Sequence, residues 1–105
     1  MGIEIKSENG HCRARIDGDM TIYTAGEYRE TLLEQCHSRE GLELDLEDVT
    51  EIDTAGLQLL VALRKHLEDT ESGLQLKKTS EAVQKALALT QLETAFNGRT
   101  AETKI

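Results

Sequence analysis

The chain has 105 residues, 38% of them apolar and 30% charged, and a formal net charge of −8. That length suits one domain with a single hydrophobic core. The negative charge and the presence of only three aromatics, Tyr23, Tyr28 and Phe96, exclude a nucleic-acid binder, which needs clustered Lys and Arg or a stacking platform. No apolar run nears the roughly 18 residues that would suggest a membrane-spanning helix. The first ten residues, MGIEIKSENG, show no basic flank before an apolar block. A cytoplasmic protein with no direct membrane insertion is the expectation.

In chain order, IEIKS at 3–7 alternates and predicts a short strand, and Asn9-Gly10 is a hairpin signal leading into a second strand over 11–17. DGDM is expected to close that strand. The pattern from Thr24 to Cys36 has helical spacing, with Ala25, Tyr28, Leu32 and Leu33 on one face, and Gly41 ends the unit. LELDLEDV at 42–49 alternates leucine with acid and predicts a strand with one apolar face. A second helix is expected over 54–69, with Leu57, Leu59, Leu60, Val61, Leu63 and Leu67 inward and Gln58, Lys65, Glu68 and Asp69 in water. LQLK at 74–77 reads as another strand. Ser80 is the N-cap expected for a third helix over 81–89, with Val83, Leu87 and Ala86 inward. The last residues, 97–105, form a polar tail.

The order β-β-α-β-α-β-α implies right-handed crossovers and a mixed, mostly parallel sheet in a single α/β domain over 1–96. The acids at Glu43, Asp45 and Glu47 suggest that one sheet face is solvated, so the helices cover only the other. Cys12 and Cys36 each adjoin a histidine, His11 and His37, but the two pairs lie 24 residues apart. Structural zinc sites usually show local ligand pairs. The expectation is two buried free thiols, no metal and no cofactor. There is no phosphate-binding glycine loop of the G-x-x-x-x-G-K-[ST] type, and the three histidines fall on separate segments, so no enzyme is expected.

The stretch with most to say is Asp53-Thr54-Ala55-Gly56, where a strand gives way to a buried helix. Asp53 or Thr54 can accept a hydrogen bond from a first-turn amide, and the helix N-terminus tolerates added negative charge. Thr54 can therefore be a simple cap, or a phosphorylation site whose dianion would spare the fold and repel a docked partner. Glu47, Asp48, Glu51 and Asp53 would add to that repulsion.

LDLEDVTEIDTAGLQLLVAL resembles the central motif of the STAS family, the sulphate-transporter and anti-sigma-factor-antagonist domain, in which a strand runs into Asp-(Ser/Thr)-x-Gly-Leu at the start of a helix. IDGDMTIYTAGEYRETL, 16–32, resembles that family's first conserved segment through Gly18, Met20, Thr24 and Ala25, with Tyr28 where leucine is usual and Thr21 where aspartate is usual. GLQLKKTSEAVQKALALTQLETAF, 73–96, resembles its closing strand, turn and last core helix. The resemblance implies a STAS-like fold and a regulatory module whose Thr54 is phosphorylated by a partner kinase, with Asp53 in the adjoining acidic position. It implies an anti-sigma factor or related serine/threonine protein kinase as partner, docking on Tyr23, Thr24, Asp53, Thr54, Ala55 and Gln58. For Tyr23 a core or staple role is equally open. The same Asp-Thr-Ala-Gly-Leu sequence occurs in STAS subunits of lipid-transport complexes, which implies a transporter ATPase subunit as the alternative partner.

Overall fold

The computed structural model describes residues 2–8, 11–36 and 41–90. The elements are β1 (Ile3–Glu8), β2 (His11–Met20), α1 (Ala25–Gln35), β3 (Leu42–Ile52), α2 (Thr54–His66), β4 (Leu74–Thr79) and α3 (Glu81–Leu89). They form one four-stranded sheet in the order β1-β2-β3-β4. β1 runs antiparallel to β2, while β2–β3 and β3–β4 are parallel. The β-β-α-β-α-β-α order and the mixed sheet match the reading from sequence. The expected Asn9-Gly10 turn, the segment after α3 and the tail at 97–105 lie outside the described residues.

Alternation in the strands sets the layers. Cys12, Ala14 and Ile16 of β2, Leu42, Leu44 and Leu46 of β3, and Leu74 of β4 are buried on one sheet face. Leu57, Leu59, Leu60 and Leu63 of α2 and Val83 and Leu87 of α3 join them in one core. The opposite face is polar. Arg13 pairs with Glu43 at 3.4 Å, Lys78 with Glu47 at 3.7 Å, and Arg15 with Asp48. Such exposed pairs are worth little individually, about 0.2–1 kcal/mol, so this face keeps the sheet soluble more than it holds it together.

Several boundaries differ from the sequence reading, each for an identifiable reason. β2 does not stop at Asp17 but continues to Met20, because Gly18 adopts φ +84°. A left-handed residue costs glycine little. It absorbs a register shift against β3 there and lets pairing resume, up to Met20 opposite Ile52. β3 accordingly extends to Ile52 and β4 to Thr79. α2 ends at His66, with Leu67 as its C-cap. The arc of α2 is also narrower than expected. Val61 is 39% exposed, because the buried positions are Gly56, Leu57, Leu59, Leu60, Leu63 and Leu67, and Val61 falls outside their arc.

Two further expectations change. Leu33 is only half-buried, so α1 presents Ala25, Tyr28 and Leu32 to the core. The Tyr28 hydroxyl is held above its ordinary pKa by burial and then by nearby Asp19 and Glu27. The cysteines are not free thiols: Cys12 and Cys36 form a disulfide across 24 residues, with their Cα atoms 5.8 Å apart. Spacing along the chain could not show this, because the two meet only after α1 folds back over the start of β2.

Candidate functional site

The ends of β2 and β3 bring two strand-to-helix turns side by side. In the first, Thr21 is buried and its backbone carbonyl accepts hydrogen bonds from the amides of Thr24 (2.9 Å) and Ala25 (2.8 Å). The Thr21 hydroxyl donates to Asp19 Oδ2 at 2.8 Å, and the Thr24 hydroxyl donates to the Asp19 carbonyl at 3.0 Å. Thr24 Oγ1 also accepts from the Thr21 amide at 3.0 Å. These bonds fasten the loop from within and leave its two middle side chains outside: Ile22 is 70% exposed and Tyr23 90%. Tyr23 is therefore no core residue and no staple.

In the second turn Asp53, not Thr54, is the cap. Asp53 Oδ1 accepts from the Gly56 amide at 3.2 Å, and Oδ2 accepts from the Ile22 amide at 3.0 Å. The Asp53 amide in turn donates to the Met20 carbonyl at 3.2 Å. One carboxylate thus starts α2 and ties the two turns together. Gly56 is what permits this proximity. A Cβ there would meet the Met20 carbonyl oxygen and lie 2.8 Å from Ile52 Cγ1.

Burial pushes the Asp53 carboxyl upward, but the amides of Ile22, Gly56 and Ala55 outweigh it, so its pKa lies below the ordinary 3.8. A folded value below the unfolded one means that the native state binds fewer protons in acid. The stabilisation is complete above 3.8 and is lost as pH falls through the folded value. Urea unfolding across pH is therefore expected to show a constant stability gap between wild type and Asp53→Asn above about pH 5, closing in stronger acid. A gap independent of pH down to acid unfolding would contradict this role.

Thr54 is the first residue of α2 and is exposed, and its hydroxyl has no hydrogen-bond partner among the described residues. Ala55 is half-buried and Gln58 exposed. Between α1 and α2 lies an open groove of about 260 Å³, lined by Ala25, Gly26 and Arg29 on one side and Ala55, Gln58 and Leu59 on the other. All six residues expected at the site thus lie on or beside the two turns, but they are not equivalent. Tyr23, Thr54 and Gln58 face outward, whereas Asp53 and Thr24 are engaged in holding the turns.

Two outward residues escaped the sequence reading. Ile22 was hidden because an apolar residue next to a buried Thr21 gives no periodic signal. Val61 follows Thr54 at i+7 and Gln58 at i+3, so the exposed valine continues the stripe that begins at the threonine.

Residues 3–97 match the family model described as "Mlab, STAS domain". The chain is 25% identical over 93 residues to the anti-sigma-B factor antagonist of Bacillus subtilis (strain 168), covering 89% of this chain and 85% of that protein. Its fold is similar to the crystal structure of an anti-sigma factor antagonist from Mycobacterium paratuberculosis, with a TM-score of 0.72 at 20% identity over 90% of this chain and 80% of that one. It is similar also to the anti-sigma factor antagonist SpoIIAA in its unphosphorylated form, with a TM-score of 0.69 at 18% identity over 86% and 81%. At those identities the two structures speak to the fold alone. The family match spans nearly the whole chain, the strand-to-helix turn at Asp53–Gly56 included: this protein belongs to the STAS domain family.

Proposed function

We propose that this protein is a non-catalytic regulatory module of the anti-sigma factor antagonist type, which docks an anti-sigma factor or related serine/threonine kinase and is released when Thr54 is phosphorylated. The observation that carries the reading is a division of labour at one helix start. Asp53 makes the capping bond, so the exposed Thr54 hydroxyl is free to be modified without loss of the cap. The name of the Bacillus subtilis relative supports the partner class. Exposed Ile22 and Tyr23 on one turn, with Gln58 and Val61 on the outer side of α2, supply apolar and polar contact area around the acceptor.

Phosphate adds about −1.5 to −2 of charge at a helix end whose partial positive charge accepts it. A partner that packs over Thr54 would have to bury this dianion beside Asp53 and Glu51. Each 1.4 kcal/mol of mismatch weakens binding about tenfold. Affinity capture with wild type, Thr54→Ala and Thr54→Glu is the test. The first two are expected to retain one kinase and Thr54→Glu to lose it by tenfold or more, with all three unfolding at similar temperatures. The captured kinase with ATP should label wild type and not Thr54→Ala. Equal capture by all three, with no labelling at Thr54, would end this reading.

A second reading makes the chain a constitutive subunit supporting an ABC-type lipid-transport ATPase. Its support is Asp53-Thr54-Ala55-Gly56-Leu57, a sequence shared with STAS subunits of such complexes. Capture of a transporter ATPase, indifferent to Thr54→Glu, would select it.

A further inference from the structure

α1 is a weakly determined helix. Its N-cap residue, Thr24, makes no side-chain capping bond, its last turn has no basic residue, and only Ala25, Tyr28 and Leu32 are buried. Gly26 lowers its helix propensity, and Glu34 sits where the helix end is already partially negative. By contrast α2 has a carboxylate cap, three basic residues in its last turn and five buried residues. What α1 has instead is covalent. Cys36, its C-cap residue, is bonded to Cys12 near the start of β2.

The two sulfurs are not equally placed: Cys12 is 2% exposed within the core, while Cys36 is half-buried at its margin. We propose that this pair is a reversible redox clamp on α1, closed as the disulfide and opened by a dithiol reductant of the thioredoxin class. A thiolate of the reductant attacks the more accessible Cys36 Sγ, the Cys12–Cys36 bond breaks, and Cys12 leaves as a thiolate that is then protonated. The reductant's second thiol displaces Cys36 from the mixed disulfide. The protein gains two electrons and two protons, and the dithiol leaves as its own disulfide. Opening the clamp frees the C-terminal end of a helix that is otherwise held by Ala25, Tyr28 and Leu32 in the core. Ala25, Gly26 and Arg29, which form one wall of the groove beside Ala55 and Gln58, lie in the first turns of α1, at the opposite end from Cys36, so the clamp reaches that wall only through the helix itself.

This inference is independent of phosphorylation at Thr54, and its test needs no partner. Hydrogen exchange of the full chain is measured in the oxidised form and after reduction. Amides of 25–35 are expected to exchange at least tenfold faster on reduction, and to gain more than those of β3. Thiols should appear in the folded protein at a rate that rises with reductant concentration, and Cys36→Ser should reproduce the reduced pattern. If that variant does not fold, the two forms of the wild type still decide. Equal acceleration of α1 and β3, no change in either, thiols released only at the rate of global unfolding, or two thiols that persist under a disulfide oxidant would each overturn the proposal.

Discussion

Gly56→Ala should lower the stability of this protein by about 2 kcal/mol, although alanine is the better helix former. The same change at Gly26 should raise it by up to about 1 kcal/mol. Both glycines lie in the first turn or two of a helix, and propensity alone predicts a gain at each. Space decides otherwise. A Cβ at Gly26 meets nothing within 4 Å, whereas one at Gly56 runs into the Met20 carbonyl, with Ile52 Cγ1 at 2.8 Å and Met20 Cβ at 3.0 Å. A backbone oxygen cannot rotate away, so α2 must lift from the end of β2. That displacement would also stretch the bonds from Asp53 to the Gly56 and Ile22 amides. Denaturant titration of the two variants would read the opposite signs directly. For a domain of this size each kcal/mol moves the thermal midpoint by roughly 4–8 °C. A Gly56→Ala protein as stable as wild type would mean that the helix is not seated as closely as described.

The second large effect is expected from adjacent residues of α2. Leu60→Ala should cost about 2–5 kcal/mol, the range for a buried leucine that leaves a cavity, and Val61→Ala less than about 0.5 kcal/mol, as for a surface change. Leu60 is fully buried in the core, and Val61 is 39% exposed on the outer stripe. If Val61 belongs to a docking surface, its truncation should weaken partner capture while leaving the unfolding midpoint near that of wild type. Comparable losses of stability at both positions would contradict the orientation of the helix.

That pair also measures how far the chain could be read unaided. Val61 and Leu60 are both apolar, and a helix with apolar residues at 57, 59, 60, 61, 63 and 67 admits more than one inward arc. The choice between them depends on where the sheet lies, which is a long-range fact. Tyr23 illustrates the same limit. Its place just before a helix fits a staple equally well. Its 90% exposure follows from hydrogen bonds among Asp19, Thr21 and Thr24 that turn the loop outward. The capping role at the second turn was open between Asp53 and Thr54 for a similar reason, since the distinction rests on which oxygen faces the Gly56 amide.

Elements whose signals are local were legible residue by residue. Ser80 caps α3 by accepting from the Val83 amide at 3.2 Å, and α3 spans Glu81–Leu89 as its spacing implies. The alternation of leucine and acid in β3 specified both a buried and a wet face, since side chains of a strand point to opposite sides in turn. The four strands, three helices, their order and the solvated sheet face were therefore determined by periodicity and turn chemistry, which act within a few residues. Tertiary structure alone decided the extension of β2 through Gly18, the meeting of Cys12 with Cys36, the outward Val61, and the bond from the Ile22 amide to Asp53 that joins the two turns. Each of these is a contact between segments distant in the chain, or a consequence of one, and no local pattern encodes a distance that only the folded sheet sets.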